Sequence, residues 1–210
     1  KDGAMTHSGV FVMDKNTPNL SDVFITNVKL GIQGSGDERA LSSMEDTLTY
    51  TSNSDFRRSD AFLSVIIISD EDDFSATTSA SILENYSSPN IIPVSHYKDF
   101  LDGFAGAGNY SVNLIGTIDQ ACVTQLNNGQ RLGVRHKEFA NLVGGSVTSI
   151  CDDFADSLTE ISEKTIELAS TFTLERAPIK ESISVSIDGH TVPEDAKNGW
   201  TFDSATNVLA

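Results

Sequence analysis

One segment of this sequence constrains the fold more than any other, the stretch from Phe62 to Asp73. An apolar run of strand length, Phe62 to Ile68, is separated by one serine from four consecutive acids, Asp70 to Asp73. Parallel strands that are covered on both faces read as unbroken Val/Ile/Leu runs. In open α/β sheets, ligands bind beyond the carboxyl ends of such strands. Because four adjacent acids repel one another unless a cation or shared protons relieve them, the sequence predicts a hard-metal site at the tip of a central strand.

Composition sets the broad class of the protein. The chain has 210 residues, enough for one good core, and its net charge is −16, from 30 acids and 14 basic residues. This charge argues against a nucleic-acid partner and against binding to an anionic membrane surface. No apolar run approaches the roughly 20 residues that a bilayer span requires, so no direct membrane insertion is expected. Because Lys1 is not a natural initiator, we expect a processed or truncated chain.

The order of predicted elements indicates an α/β fold with a parallel sheet wrapped on both sides. Residues 1–33 are poor in regular signals apart from a short strand at Val10 to Met13. Ser35 and Glu38 have the S-x-x-E form of a capping box, which predicts a helix start there. The elements predicted further along are a helix with Leu41, Met44 and Leu48 on one face, the strand Phe62–Ile68, a helix with Tyr97, Phe100, Leu101 and Phe104 on one face, the strand Tyr110–Ile118, a loop that holds Cys122, a helix at His136–Val143, a strand at Ser146–Cys151, and a helix at Phe154–Thr171 with Phe154, Leu158, Ile161 and Leu168 on one face.

The C-terminal part follows a different pattern. Ile183, Val185 and Ile187 alternate with serines, and Asp188-Gly189 is a typical hairpin turn. Trp200 and Phe202 share one face of a further strand, so we expect them to pack against the Ile183–Ile187 face. We therefore predict an α/β domain over residues 1–172 and a small antiparallel β-unit over residues 173–210 that packs on it.

Several residues can be interpreted as structural or as functional. Ser35 and Asp37 fit an ordinary helix cap, and Asp73 and Ser75 are better explained as helix-capping residues than as ligands. Asp70 directly follows the predicted strand, so a role in the predicted metal site is favoured for it. Two cysteines leave a disulfide and two buried thiols both open. The histidines are scattered without metal-ligand spacing, which favours structural or surface roles.

The motifs taken together resemble von Willebrand factor A-type domains, specifically the bacterial secreted or surface group with a β-rich tail. The resemblance covers about residues 20–210 and is carried by segments in this order: GSGDERAL, SDEDD, YKDFLDG, LVGG, SICDDFADSL and the tail SISVSIDGHTVPEDAKNGWTFDSATN. It implies a doubly wound, mostly parallel sheet with a metal-ion-dependent adhesion site at its top and a small antiparallel β-unit at the C-terminus.

The resemblance also implies a ligand set. The family binds Mg²⁺, and Asp70 matches the aspartate that ends its fourth strand. Ser35 falls where the family has a threonine ligand, and Glu71 and Asp72 would hold coordinating waters. Ca²⁺ or Mn²⁺ are the other metals such a site accepts. The family's D-x-S-x-S loop has no counterpart here, and Asp2-Gly3-Ala4-Met5-Thr6 matches it only in part. Because that loop follows a central strand, we expect that an N-terminal segment completing the fold is missing.

Export follows from the same resemblance. The group carries one cysteine after its fifth strand and one after its sixth, which favours a Cys122–Cys151 disulfide. A location in the periplasm, on the outer membrane surface or outside the cell is then expected.

The implied function is adhesion or ligand binding, with a protein or glycan on another surface as partner, and no catalytic residue is predicted. One alternative is a haloacid dehalogenase-like phosphatase with Asp70 as nucleophile and Asp72 as acid/base, although no lysine lies at a strand end. The other alternative is a structural surface protein with a degenerate metal site.

Overall fold

The computed structural model describes residues 9–10, 13–29, 36–54, 56–59, 61–126 and 131–210. These residues form a mixed α/β fold with a parallel three-stranded sheet and two small antiparallel sheets, so the predicted α/β class is confirmed. The helices are α1 (Leu20–Val28), α2 (Ala40–Thr49), α3 (Val94–Ala105), α4 (Gln120–Leu126), α5 (Val134–Leu142) and α6 (Phe154–Ala169). The strands are β1 (Leu63–Ser69), β2 (Tyr110–Gly116), β3 (Val147–Ser149), β4 (Phe172–Thr173), β5 (Val185–Ile187), β6 (His190–Val192), β7 (Phe202–Asp203) and β8 (Val208–Leu209).

The parallel sheet has the order β1-β2-β3. Leu63 pairs with Tyr110, and Leu114 pairs with Val147, so the three carboxyl ends lie at one edge of the sheet. Every residue of β2 is buried, as expected for the middle strand of a parallel sheet. β1 lies at one side of the sheet that the described residues form, and its predicted place as a central strand stays a prediction.

Helices cover the sheet on both faces. Leu63 and Ile67 of β1 point into a core that also contains residues of α2, α3 and α5, with Tyr97 and Phe139 fully buried there. The opposite face of β1 meets α6, where the Ser64 and Thr165 hydroxyl oxygens lie 3.2 Å apart. Side chains alternate between the two faces of a strand, so Leu63 and Ile67 face the core and are buried. Ile66 and Ile68 point to the opposite face and are exposed.

Several sequence predictions need correction. Cys122 lies in helix α4, where a loop was predicted. Helix α1 was not predicted, because its exposed apolar residues do not follow the pattern of a buried face. The predicted cap at Ser35 lies outside the described residues, but α2 begins at Ala40, later than a capping box at residues 35–38 implies. Phe11 and Val12 of the predicted Val10–Met13 strand also lie outside the described residues.

The C-terminal β-unit consists of two small sheets. β5 and β6 form a hairpin whose turn residues Asp188 and Gly189 both have positive φ, as predicted from the Asp-Gly pair. β8 pairs with both β4 and β7. Trp200 is buried, and its indole N–H donates to the Val192 carbonyl. Ile187 is 63% exposed, so the expectation that the whole Ile183–Ile187 face is covered is wrong at its turn end.

A disulfide joins Cys122 to Cys151, with the two Cα atoms 5.6 Å apart. The pairing favoured by the resemblance is thus confirmed. The bond links α4 to the turn after β3 and spans 29 residues of sequence. It ties together two segments that follow the carboxyl ends of neighbouring strands.

Replacing both cysteines by serine is expected to lower the free energy of unfolding by about 3–4 kcal/mol, because the bond restricts a loop of this length in the unfolded chain. Urea unfolding under non-reducing conditions would measure the loss. Reduction of the wild-type protein should reproduce it, and a midpoint that is insensitive to reductant would contradict the prediction.

Candidate functional site

The acidic loop after β1 divides into an exposed and a buried part. Asp70 is exposed at the carboxyl end of the strand, and Glu71 is half-buried. Asp72 and Asp73 have no accessible surface. Because burying a carboxylate requires hydrogen-bond donors, the two buried acids must be paired inside the protein.

Asp72 is held by donors from a distant helix and a tyrosine. Its carboxylate accepts hydrogen bonds from the backbone N–H of Arg135 at 3.0 Å and of His136 at 3.4 Å, the second and third residues of α5. The Tyr86 hydroxyl donates to its other oxygen at 2.8 Å. Asp72 therefore caps α5, where the positive end of the helix dipole favours a negative charge.

Asp73 and Ser75 act in the same way on α2. The Leu41 N–H donates to Asp73 Oδ1 at 3.0 Å, and the Ser42 N–H donates to Ser75 Oγ at 2.9 Å. The Arg135 guanidinium lies 3.1 Å from Asp73 Oδ2 and forms a buried ion pair. The predicted helix-capping role of Asp73 and Ser75 is confirmed, although both residues are buried and not solvated as a surface cluster would be.

Asp37 belongs to a second buried cap on the same edge. Its carboxylate accepts from the N–H groups of Ile82 at 2.6 Å and Glu84 at 2.8 Å, and Arg39 lies 3.7 Å away. These backbone bonds and the Arg39 charge outweigh burial and hold the pKa of Asp37 below its usual value. The loop from 78 to 84 is thereby tied to the residues that precede α2.

Glu71 has more negative than positive side chains around it. Burial raises the pKa of Glu71, and the nearby carboxylates of Glu38, Asp70 and Glu84 raise it further. Arg131 opposes this effect and ion-pairs with Glu84. A carboxyl whose negative form is disfavoured by its neighbours is a group whose charge a cation would stabilise.

The structure describes three of the four predicted ligands, Asp70, Glu71 and Asp72. Ser35 lies outside the described residues, so its role as a ligand beside Asp70 stays a prediction. Within the described ranges, no three His, Cys, Asp or Glu side chains are grouped closely enough to hold a metal by themselves. Asp70 is exposed and Glu71 is half-buried beside it at the carboxyl end of β1. Asp72 already accepts hydrogen bonds on both oxygens from protein donors.

The partners of these buried acids were not predicted from the sequence. Arg135 and Tyr86 lie on segments far from β1 in the chain, and no local motif marks them. His136 is also buried here, with Nδ1 3.9 Å from Asp72 Oδ1, which agrees with the structural role favoured for the histidines. Burial lowers the pKa of the His136 imidazole in spite of the adjacent carboxylates.

In the part of the chain that the structure describes, no helix is long and apolar enough to cross a bilayer. Comparisons with protein-family models, curated proteins and solved structures find no match to this chain.

Proposed function

We propose that this chain is an extracytoplasmic adhesion or ligand-binding module that holds a divalent cation at the carboxyl edge of its parallel sheet. The observation that carries this proposal is the pair of adjacent carboxylates, Asp70 exposed and Glu71 half-buried, at the carboxyl end of β1. Burial raises the pKa of Glu71, and the nearby carboxylates of Glu38, Asp70 and Glu84 raise it further. Mg²⁺, Ca²⁺ and Mn²⁺ prefer oxygen ligands, and carboxylates are the strongest of these in proteins. The von Willebrand A-type, doubly wound form of the fold belongs to the same proposal.

Asp70 and Glu71 are the residues that would hold the cation. Asp70 is exposed, and Glu71 is half-buried beside it, so both differ from the fully buried Asp72. Asp72 supports the site indirectly, since its bonds to α5 fix the backbone of the loop that carries Asp70 and Glu71. Ser35 stays a proposed hydroxyl ligand.

The proposed role of the cation is to recruit the partner. The chain carries a net charge of −16, so an acidic partner would be repelled by the protein as a whole. A bound cation with an open coordination position reverses this locally, and a carboxylate or a glycan oxygen of the partner would complete its shell. Partner binding is thus proposed to depend on metal.

The Cys122–Cys151 disulfide supports an extracytoplasmic location, because such bonds persist in oxidising compartments. The periplasm, the outer membrane surface and the extracellular space all meet that condition. The acidic composition agrees with a role outside the cell, where divalent cations are plentiful.

Titration calorimetry with Mg²⁺, Ca²⁺ and Mn²⁺ separately tests the proposed site. We expect Asp70→Asn and Glu71→Gln each to weaken cation affinity by about tenfold or more, as the loss of a ligand or of a water-holding group does. Binding should also release protons at a pH near the pKa of Glu71, because a cation lowers that raised pKa. Affinity should accordingly fall as the pH decreases through that pKa.

Glu163→Gln is a matched control, since this exposed acid on α6 lies outside the acidic loop. It removes one negative charge and should leave cation affinity within the error of the wild type. Absence of cation binding by the wild-type chain, or equal weakening by all three substitutions, would rule out the site. A surface-binding assay with and without EDTA then tests the adhesive role, and binding that is undiminished by the chelator would contradict it.

A further inference from the structure

Arg131 brings a positive charge to the exposed part of the acidic loop. Its guanidinium forms an ion pair with the Glu84 carboxylate. The Thr117 hydroxyl donates to the Arg131 carbonyl and also lies 3.4 Å from the Asp70 carbonyl. One side chain therefore contacts the backbones of both Arg131 and Asp70, and this places Arg131 beside the carboxyl end of β1.

Glu84, the ion-pair partner of Arg131, lies on a segment that is tied to the same loop. Two residues after Glu84, the Tyr86 hydroxyl donates to the Asp72 carboxylate at 2.8 Å. Asp72 directly follows Glu71 in the chain. The hydrogen bond thus holds the segment that carries Glu84 against the loop that carries Glu71.

The charges of the ion pair act on Glu71. Glu84 raises the pKa of the Glu71 carboxyl, and Arg131 lowers it. Arg135 differs from Arg131, because its guanidinium is buried in the ion pair with Asp73. The Arg131 side chain is 48% exposed, so it can leave Glu84 without disturbing a packed core.

We propose that Arg131 is an internal competitor for the proposed cation: it neutralises carboxylate charge at this edge, and a divalent ion must displace it to bind. This inference rests on the proposed function, because it concerns the affinity of the site at Asp70 and Glu71. Arginine stays protonated at every physiological pH, so the competing charge is permanent. An exposed ion pair contributes little stability, so its displacement is feasible.

Mass action gives an internal competitor two consequences. The affinity for divalent ions is lower than the carboxylates alone would give, since part of the binding free energy is used to displace Arg131. Sodium ions compete for the same negative charge. Arg131 is attached to the chain and therefore has a high effective concentration at the edge, so added sodium changes the competition little.

Calorimetric titration with Mg²⁺, Ca²⁺ and Mn²⁺ separately tests the proposal at constant ionic strength. The titrations are made in sodium chloride and in tetramethylammonium chloride, each at about 0.15 M. Tetramethylammonium screens charge equally but is too bulky to coordinate carboxylates. For each ion that binds, the wild-type affinity should agree within about twofold between the two salts, because Arg131 outcompetes sodium.

Arg131→Gln removes the competitor. In tetramethylammonium chloride it should raise divalent affinity about fivefold to tenfold, the effect of a unit charge about 6–8 Å from a divalent ion in a water-like medium. In sodium chloride part of this gain should be lost, because sodium then occupies the edge. Arg131→Lys keeps the charge and should restore the wild-type response to both salts.

Lys164→Gln is the matched control. Lys164 forms an exposed ion pair with Glu167 on α6, 3.0 Å long, so the substitution also removes one positive charge from a surface pair. Lys164 lies ten residues, about 15 Å, after the start of α6, which follows the carboxyl end of β3. This variant should keep the wild-type affinity in both salts.

The outcomes separate this inference from the proposed function. Divalent binding that is weakened by Asp70→Asn but unchanged by Arg131→Gln would overturn the inference and leave the proposed function intact. An equal gain for Arg131→Gln in both salts would also overturn it, since the charge would then act at long range and not as a competitor. Absence of binding of all three ions to both the wild type and Arg131→Gln would overturn the inference and the proposed function together.

Discussion

Replacing Asp73 by alanine is expected to lower the free energy of unfolding by about 3–5 kcal/mol, the cost of leaving a buried charge without its partner. The Arg135 guanidinium would lose the carboxylate 3.1 Å away. The N–H groups of Leu41 and Ser75 would lose their acceptor as well. Urea unfolding followed by far-UV circular dichroism measures the change.

Asp152→Ala is the control, because Asp152 is an exposed acid outside these caps. It should change the unfolding free energy by less than about 0.5 kcal/mol, as most surface substitutions do. The double variant Asp73→Ala/Arg135→Met should recover part of the loss, since it removes both members of the ion pair. Equal effects of Asp73→Ala and Asp152→Ala would contradict the structural role of Asp73.

Trp200→Ala is expected to destabilise the C-terminal β-unit by about 3–5 kcal/mol, as truncation of a large buried aromatic does. The Trp200 side chain is 7% exposed, and its indole N–H bond to Val192 O, 3.0 Å long, joins it to β6. Hydrogen exchange resolved by peptide is the appropriate measurement, because it separates the β-unit from the parallel sheet. Cation affinity at the Asp70 edge should stay nearly unchanged.

Two further variants serve as controls for Trp200→Ala. Trp200→Phe keeps an aromatic ring but removes the hydrogen bond, and should cost about 1 kcal/mol. Ile187→Ala truncates an apolar residue of the same unit that is already 63% exposed, and should cost less still. A Trp200→Ala effect as small as that of Ile187→Ala would show that the indole is not part of a core.

The resemblance to von Willebrand A-type domains stays a prediction, and so do the metal ligands drawn from it. The parallel strand order β1-β2-β3 and the helices on both faces are compatible with such a fold. Ile66 and Ile68 of β1 are exposed on the face of the strand opposite the core.

Local signals were sufficient where the structure depends on neighbouring residues. The apolar run at Phe62–Ile68 became β1 within one residue at either end. Asp153 caps α6 by accepting from the Ala155 and Asp156 N–H groups, which lie two and three residues along the chain. The Asp188-Gly189 turn could also be predicted from the sequence, because this dipeptide favours positive φ at both residues.

Tertiary structure alone decided which helices the buried acids cap and which apolar residues are exposed. Asp72 and Asp73 cap helices whose first residues are distant in the chain, and no sequence pattern encodes such pairing. Ile66 and Ile67 are adjacent and chemically identical, yet only Ile67 reaches the core. The reason is that a residue's type determines what its burial would contribute, whereas the packing of distant segments determines whether that burial occurs.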